Sequence, residues 1–90
     1  MAAAQLDIDN TSILDNVDER QVEFSGEVDG EEFQFAAQYD LLEALSGDAP
    51  EDDAVEMFNR FIDPITDAAL VALARDESQP MIVVSENDLE

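Results

Sequence analysis

Apolar and polar residues alternate from Val22 to Val28. Val22, Phe24, Gly26 and Val28 take one parity, and Glu23, Ser25 and Glu27 take the other. That is the period of a half-buried strand. Asp29-Gly30 follows, a dipeptide suited to a two-residue type I′ turn. Beyond it Phe33, Phe35 and Ala37 alternate with Glu32, Gln34 and Gln38, with Ala36 as the exception. A two-residue turn pairs Val28 with Glu31, so the register runs Gly26–Phe33, Phe24–Phe35 and Val22–Ala37. Those partners share one face, and pattern and turn specify the same hairpin independently. Phe33 is placed to cover the gap beside Gly26.

Weaker signals surround the hairpin. Gln5 to Ile8 reads as a short edge strand, and Asn10 to Asp18 as a polar loop. After the hairpin, Asp40 is placed to cap a helix, with Glu43 three residues on. Leu41, Leu42 and Leu45 give that helix its apolar side, and Ser46-Gly47 ends it. The next helix is expected to start at Asp48-Ala49-Pro50-Glu51. Glu51, Asp52 and Asp53 then lie where the helix dipole favours negative charge. Val55, Phe58, Ile62, Ile65, Ala69 and Ala72 recur at spacings of three and four, one apolar helical stripe. Pro64 interrupts it, since a proline inside a helix costs about 3 kcal/mol. Asp63 can cap a new helix there, so the stripe implies two consecutive helices or one sharply kinked one. Phe61 belongs to the core or its edge, with Met57 and Tyr39 flanking. Arg75 suits a helix C-terminus, and Asp76 to Pro80 reads as a loop. Met81 to Val84 is a short β-branched apolar run, the mark of a buried strand.

These elements predict an α+β fold. A small antiparallel, hairpin-based sheet of three to four strands is packed on one face by two to three helices. Residues 1–90 form a single domain, in which 1–19 supply the edge strand and polar loop.

Charge changes what this domain can do. The chain holds twenty-four Asp and Glu against three Arg, a formal charge of −21, and has no Lys, His or Cys. A field of that sign repels phosphate backbones and anionic lipid heads. With apolar residues at 46% and clearly patterned, the charge does not imply disorder. Its plain meaning is solubility or adaptation to a salty cytoplasm; its sharper one is imitation of nucleic acid. Met1 to Gln5 lacks the basic and apolar regions of a signal peptide, and no apolar run is long enough to span a bilayer. A cytoplasmic location is expected.

The missing residue types also narrow the chemistry. Without His or Cys no nucleophile–imidazole triad can form, and without Lys no Schiff base. Zinc lacks its usual ligands. Asp7-Ile8-Asp9-Asn10-Thr11 spells D-x-D-x-T, the run that serves haloacid dehalogenase-type phosphatases beside Mg²⁺. The Lys and the large doubly wound sheet that this chemistry needs are absent, so the match reads as chance. Asp15 with Asp18, Glu31 with Glu32, and Asp63 with Asp67 are carboxylate pairs read as solvated acidic surface, and no window fits an EF-hand loop. Glu56 and Arg60 are spaced to pair on a helix. Arg20, Arg60 and Arg75 are too scattered for a nucleic-acid footprint. No catalytic, cofactor-binding or metal-binding residue is assigned, and no cofactor is expected.

The order of elements resembles a known family. It runs V-x-F-x-G-x-V-D-G-x-x-F-x-F, then a Leu-rich helix, then A-V-E-M-F-N-R-F-I-D-P-I-T-D-A-A, then I-V-V-S-E-N-D-L. This is similar to the domain-of-unknown-function 1488 family of small bacterial proteins, over about Arg20 to Leu89. Val22, Phe24, Phe33, Phe35, Phe58, Ile65, Ala69 and Asp88-Leu89 carry the likeness. The resemblance implies a compact α+β fold and a family-like core over 20–89, with no established activity.

The function expected is a non-enzymatic binding or accessory protein. An acidic nucleic-acid mimic that occupies a DNA-binding protein is the alternative, and a carboxylate-based enzyme the third. The partner is a protein with a basic or apolar surface, bound without direct nucleic-acid or membrane contact. The chain is a monomer or a homodimer.

Overall fold

The computed structural model describes residues 5–75 and 78–89. Five strands form one mixed sheet and three helices pack on it. The strands are β1 (Leu6–Ile8), β2 (Leu14–Asn16), β3 (Gln21–Val28), β4 (Glu31–Gln38) and β5 (Ile82–Val84). The helices are α1 (Tyr39–Ser46), α2 (Ala54–Arg60) and α3 (Ile62–Arg75), and a short 3-10 turn covers Glu86–Asp88. The strand order is β1-β3-β4-β5, with β2 also pairing β3.

The β3–β4 hairpin has the expected register, including Phe24 opposite Phe35 and Val28 opposite Glu31. Its turn has positive φ at both Asp29 (54°) and Gly30 (86°), as a type I′ turn requires. Phe24 and Phe35 stack with centroids 5.1 Å apart. Phe58 of α2 tilts against Phe24 at 4.8 Å, which places the helices on the Phe face. Gly26 has a different cover from the one expected. A Cβ there would lie 2.5 Å from Leu6 Cδ1, so β1, rather than Phe33, fills the space, and the glycine admits its close approach.

Two corrections concern the sheet. The expected polar loop contains a fifth strand, β2, antiparallel to β3. Leu14 is exposed, so this strand has no buried-face pattern to announce it. Second, β5 joins β4 in parallel, so the sheet is mixed. The connection between them runs through three helices, and such a crossover brings the chain back in the same direction. Nor is β5 buried on both faces: Ile82 and Val84 are buried but Val83 is 38% exposed.

The helix boundaries shift as well. α1 starts at Tyr39, with Gln38 at the cap position and no side-chain cap, so Asp40 lies inside the first turn. Gly47 ends it in the left-handed conformation (φ 86°), its N–H donating to the Glu43 carbonyl at 2.8 Å. α2 begins at Ala54 rather than near Pro50. Asp53 Oδ1 accepts the Glu51 N–H at 3.2 Å, which builds a turn ahead of the helix. Pro64 marks two helices, not one kinked helix, and the break is at Phe61. In a continuous helix the Pro64 ring would meet the Arg60 carbonyl. With α3 starting at Ile62 the proline sits in a first turn, where its missing N–H has no partner to lose.

The stripe is buried at Phe58, Ile65, Ala69 and Ala72 and half-buried at Val55 and Ile62. Met57 and Tyr39 are in the core, and Phe61 packs at its edge. Glu56 and Arg60 pair at 3.8 Å. Asp76 and Glu77, the first two residues of the expected loop there, lie outside the described residues, as do Met1 to Ala4 and Glu90.

Candidate functional site

The sheet face turned away from the helices is mixed: Leu14, Ala36 and Val83 lie on it in one row with Glu23, and acids gather at the β1 end. On it the strand registers set Asp7 opposite Glu27, and Glu27 opposite Glu32. All three are exposed. Directly opposed residues project to the same side, and neighbouring strands lie about 4.8 Å apart. Three carboxylates therefore stand abreast, an arrangement that weakens pairing by about 0.2–1 kcal/mol per like-charged contact. Glu27→Lys, at the centre of the row, is expected to stabilise the protein by up to about 1 kcal/mol. The wild-type melting temperature should rise with NaCl, because salt screens the −21 charge. The gain from Glu27→Lys should shrink along the same salt series. A wild-type melting temperature that is flat or falling would contradict this account.

Further along the same face, Asn16 Nδ2 and Gln21 Nε2 donate to Glu23 Oε2 at 2.7 and 2.8 Å. The Asn16 bond and then the Gln21 bond hold the Glu23 carboxyl below its usual range.

The D-x-D-x-T run is a structural turn. Asp9 Oδ1 accepts the Thr11 hydroxyl at 2.6 Å and the Thr11 N–H at 3.0 Å. Those two bonds hold the Asp9 carboxyl low. The turn presents Ser12 Oγ, which accepts the Ser25 N–H at 2.9 Å, while the Asp9 N–H donates to the Ser25 carbonyl at 2.9 Å. Ser25 lies on β3 between the stretches paired by β1 and by β2. The motif thus satisfies backbone groups that neither short strand reaches, the need every buried peptide group has.

A second polar cluster forms where α1 leaves the sheet. The Tyr39 hydroxyl donates to Asp15 Oδ1 at 2.5 Å. The Arg20 guanidinium lies over the Tyr39 ring, 5.9 Å from its centroid, and the Tyr39 N–H donates to the Arg20 carbonyl at 2.9 Å. Arg20 has a φ of 56°, a conformation that costs a residue with a Cβ about 1 kcal/mol or more. A depression of about 270 Å³ opens beside it, lined in part by Glu19, Asp40, Glu43 and Ala49. Burial, followed by the bond to Asp15 and its charge, pushes the phenol up from 10.0 to about 12, against the pull of Arg20. Tyr39 is the chain's single tyrosine, so ultraviolet titration of phenolate reads this group alone. Its midpoint is expected near 12. The folded state favours the protonated phenol. Its contribution to stability is therefore complete below pH 10 and is lost as pH rises from 10 to about 12. A midpoint at the ordinary value of 10.0 would place the hydroxyl in water.

Among the described residues, Asp88 is the carboxylate the fold buries, 2% exposed. Arg75 Nη1 donates to its Oδ1, and the Ser85 N–H donates to its Oδ2 at 3.0 Å. Ser85 Oγ in turn accepts the Asn87 N–H at 3.3 Å. Arg75 thus has a specific partner beyond the helix dipole. Sequence reasoning missed this pair, although S-x-x-D from Ser85 to Asp88 carries the spacing of a capping box. Both oxygens are committed to holding the C-terminal turn against α3. A groove of about 540 Å³ runs beside it, lined by Leu45, Pro64, Asp67, Ala68, Val71 and Leu89.

The carboxylate pairs read from sequence separate by role. Asp15 accepts from Tyr39 while Asp18 lies exposed in the turn after β2, and Asp63 and Asp67 are exposed on α3. Among the described residues no group of three acidic side chains is arranged to hold a metal ion.

No family model matches the sequence, and no curated protein matches it. A solved structure does match: the crystal structure of a protein of unknown function from the DUF1488 family, from Shewanella loihica PV-4. The TM-score is 0.75 at 16% identity, over 94% of this chain and 97% of that one. The chain has a DUF1488-like fold.

The residues that carried the sequence resemblance to DUF1488 are mostly those that build this fold. Val22, Phe24, Phe35, Phe58, Ile65 and Ala69 are buried core, and Asp88 anchors the C-terminal turn. Phe33 and Leu89 pack at the core's edge. The likeness accounts for architecture. The acid row is instead a property of this chain's own strand registers. The hairpin turn already sets Glu27 against Glu32, whereas Asp7 joins them only through the β1 pairing.

Proposed function

We propose that this is a non-enzymatic binding protein whose partner lays a basic surface on the open face of the sheet. The observation that carries this reading is the row Asp7–Glu27–Glu32. It weakens the free protein, and a cationic surface would relieve it. The commitment of Asp88 to Arg75 and Ser85 supports a structural role for the buried carboxylate over an acid–base role. The partner is not nucleic acid: three Arg against twenty-four acids release too few counterions to bind a phosphate backbone. The absence of cysteine suits the reducing cytoplasm.

The test is an NMR titration of labelled protein with an arginine-rich peptide. Amide shifts should concentrate at Leu6–Ile8, Gly26–Val28 and Glu31–Phe33, and Glu27→Lys should weaken binding at least about tenfold. Shifts spread evenly over the acidic surface, with Glu27→Lys binding like wild type, would overturn the proposal. If the natural partner proves to be a DNA-binding protein that duplex DNA displaces, the reading narrows to nucleic-acid mimicry.

A further inference from the structure

The two edges of the sheet are built differently. On one side lie β1 and β2, which carry Asp7 and Asp15. On the other lies β5, Ile82-Val83-Val84, with no charge. It falls within residues 78–85, the longest stretch of the chain without a charged residue. Exposed edge strands are normally guarded by charged side chains or prolines. In a chain of net charge −21, an edge strand without a charge, protected chiefly by its three-residue length, stands out from the rest of the surface. Val83 on this strand is 38% exposed. A groove of about 280 Å³ runs alongside, between Ile82 and Val83 on the strand and Ala72 and Arg75 on α3.

We propose that β5 is a self-association edge, at which two copies pair their β5 strands antiparallel about a two-fold axis at Val83. This goes beyond the outer-face reading and does not depend on it. A second copy fits for a reason of charge. In that register Val83 meets the partner's Val83, Ile82 meets the partner's Val84, and Met81 meets the partner's Ser85. No carboxylate falls within the paired segment. β5 also joins the Phe35–Ala37 end of β4, away from Glu31 and Glu32. Three residues a side bury far less than the roughly 1,200–2,000 Å² of a stable interface. The dimer is therefore weak, and long-range repulsion between two acidic copies opposes it. High salt removes that opposition: in about 1 M NaCl the Debye length is about 3 Å.

Sedimentation equilibrium at low salt and in about 1 M NaCl tests this. The expected result is a 9.9 kDa monomer at low salt and a concentration-dependent dimer at high salt. Hydrogen exchange under the dimeric condition should slow at the amides of β5 alone. Val83→Lys should raise the dimer dissociation constant at least about tenfold, because two lysines would face each other across the axis. The same change lowers the net repulsion between copies, so the loss can only be local. Thermal unfolding of the variant checks that it is folded. A monomer at every salt concentration would overturn the proposal. So would a dimer that Val83→Lys leaves intact, or one whose protection lies away from β5.

Discussion

Arg75→Met is expected to destabilise the protein by about 2–3 kcal/mol, although Arg75 is itself largely at the surface. Breaking a buried ion pair costs about 3–5 kcal/mol because the remaining charge stays uncompensated. Here the Asp88 side chain is wholly buried and the Arg75 side chain is 57% exposed. Solvent at the arginine end weakens the pair, which moves the expectation below that range. What remains after the substitution is a buried carboxylate that still accepts the Ser85 N–H. Arg60→Met is the internal control. Its pair with Glu56 spans 3.8 Å with both side chains exposed, and such contacts contribute about 0.3–0.5 kcal/mol. Urea denaturation of the two variants should separate them by more than about 1 kcal/mol. Equal effects would show that Asp88 gains nothing from its arginine.

Phe24→Ala is expected to cost about 3–5 kcal/mol, the usual loss for a buried phenylalanine. The ring is 1% exposed and touches Phe35 in the sheet and Phe58 in α2. Its removal opens a void at the junction of the two layers, and Phe35 and Phe58 are each held by their own element. Glu23→Ala, one residue away and on the opposite face, should cost no more than about 1 kcal/mol. The loss there is the hydrogen bonds from Asn16 and Gln21. Chemical denaturation compares the two, and similar costs would show that the assignment of faces is wrong.

How much could be read in advance varied with how local the cause was. The hairpin was legible because a two-residue turn and a period-two pattern leave one register open. The end of α1 at Gly47 was legible because only a left-handed residue closes the helix there without strain. The starts of α1 and α2 were not, since Asp40 and the acids around Pro50 also serve first turns and loops. β2 was missed because Leu-Asp-Asn has no strand signature. It is a strand only because β3 offers it an edge.

The candidate surfaces divide in the same way. The uncharged stretch 78–85 and the −21 charge are properties of the sequence. That β5 lies at a sheet edge follows from the tertiary fold, because the crossover through three helices determines where the strand docks. The pairs Arg75–Asp88 and Tyr39–Asp15 join residues distant in sequence, so no local pattern contains them.

The sequence by itself determined the α+β class, the hairpin and its register, the apolar face of the helices, and the exclusion of His, Cys and Lys chemistry. Those follow from near-neighbour spacing and from composition. Tertiary structure alone decided the parallel docking of β5, the fifth strand, the burial of Asp88 and the alignment of Asp7 with Glu27 and Glu32. Each of these depends on which distant segments meet, and that is settled by packing the whole core at once rather than by the preference of any one segment.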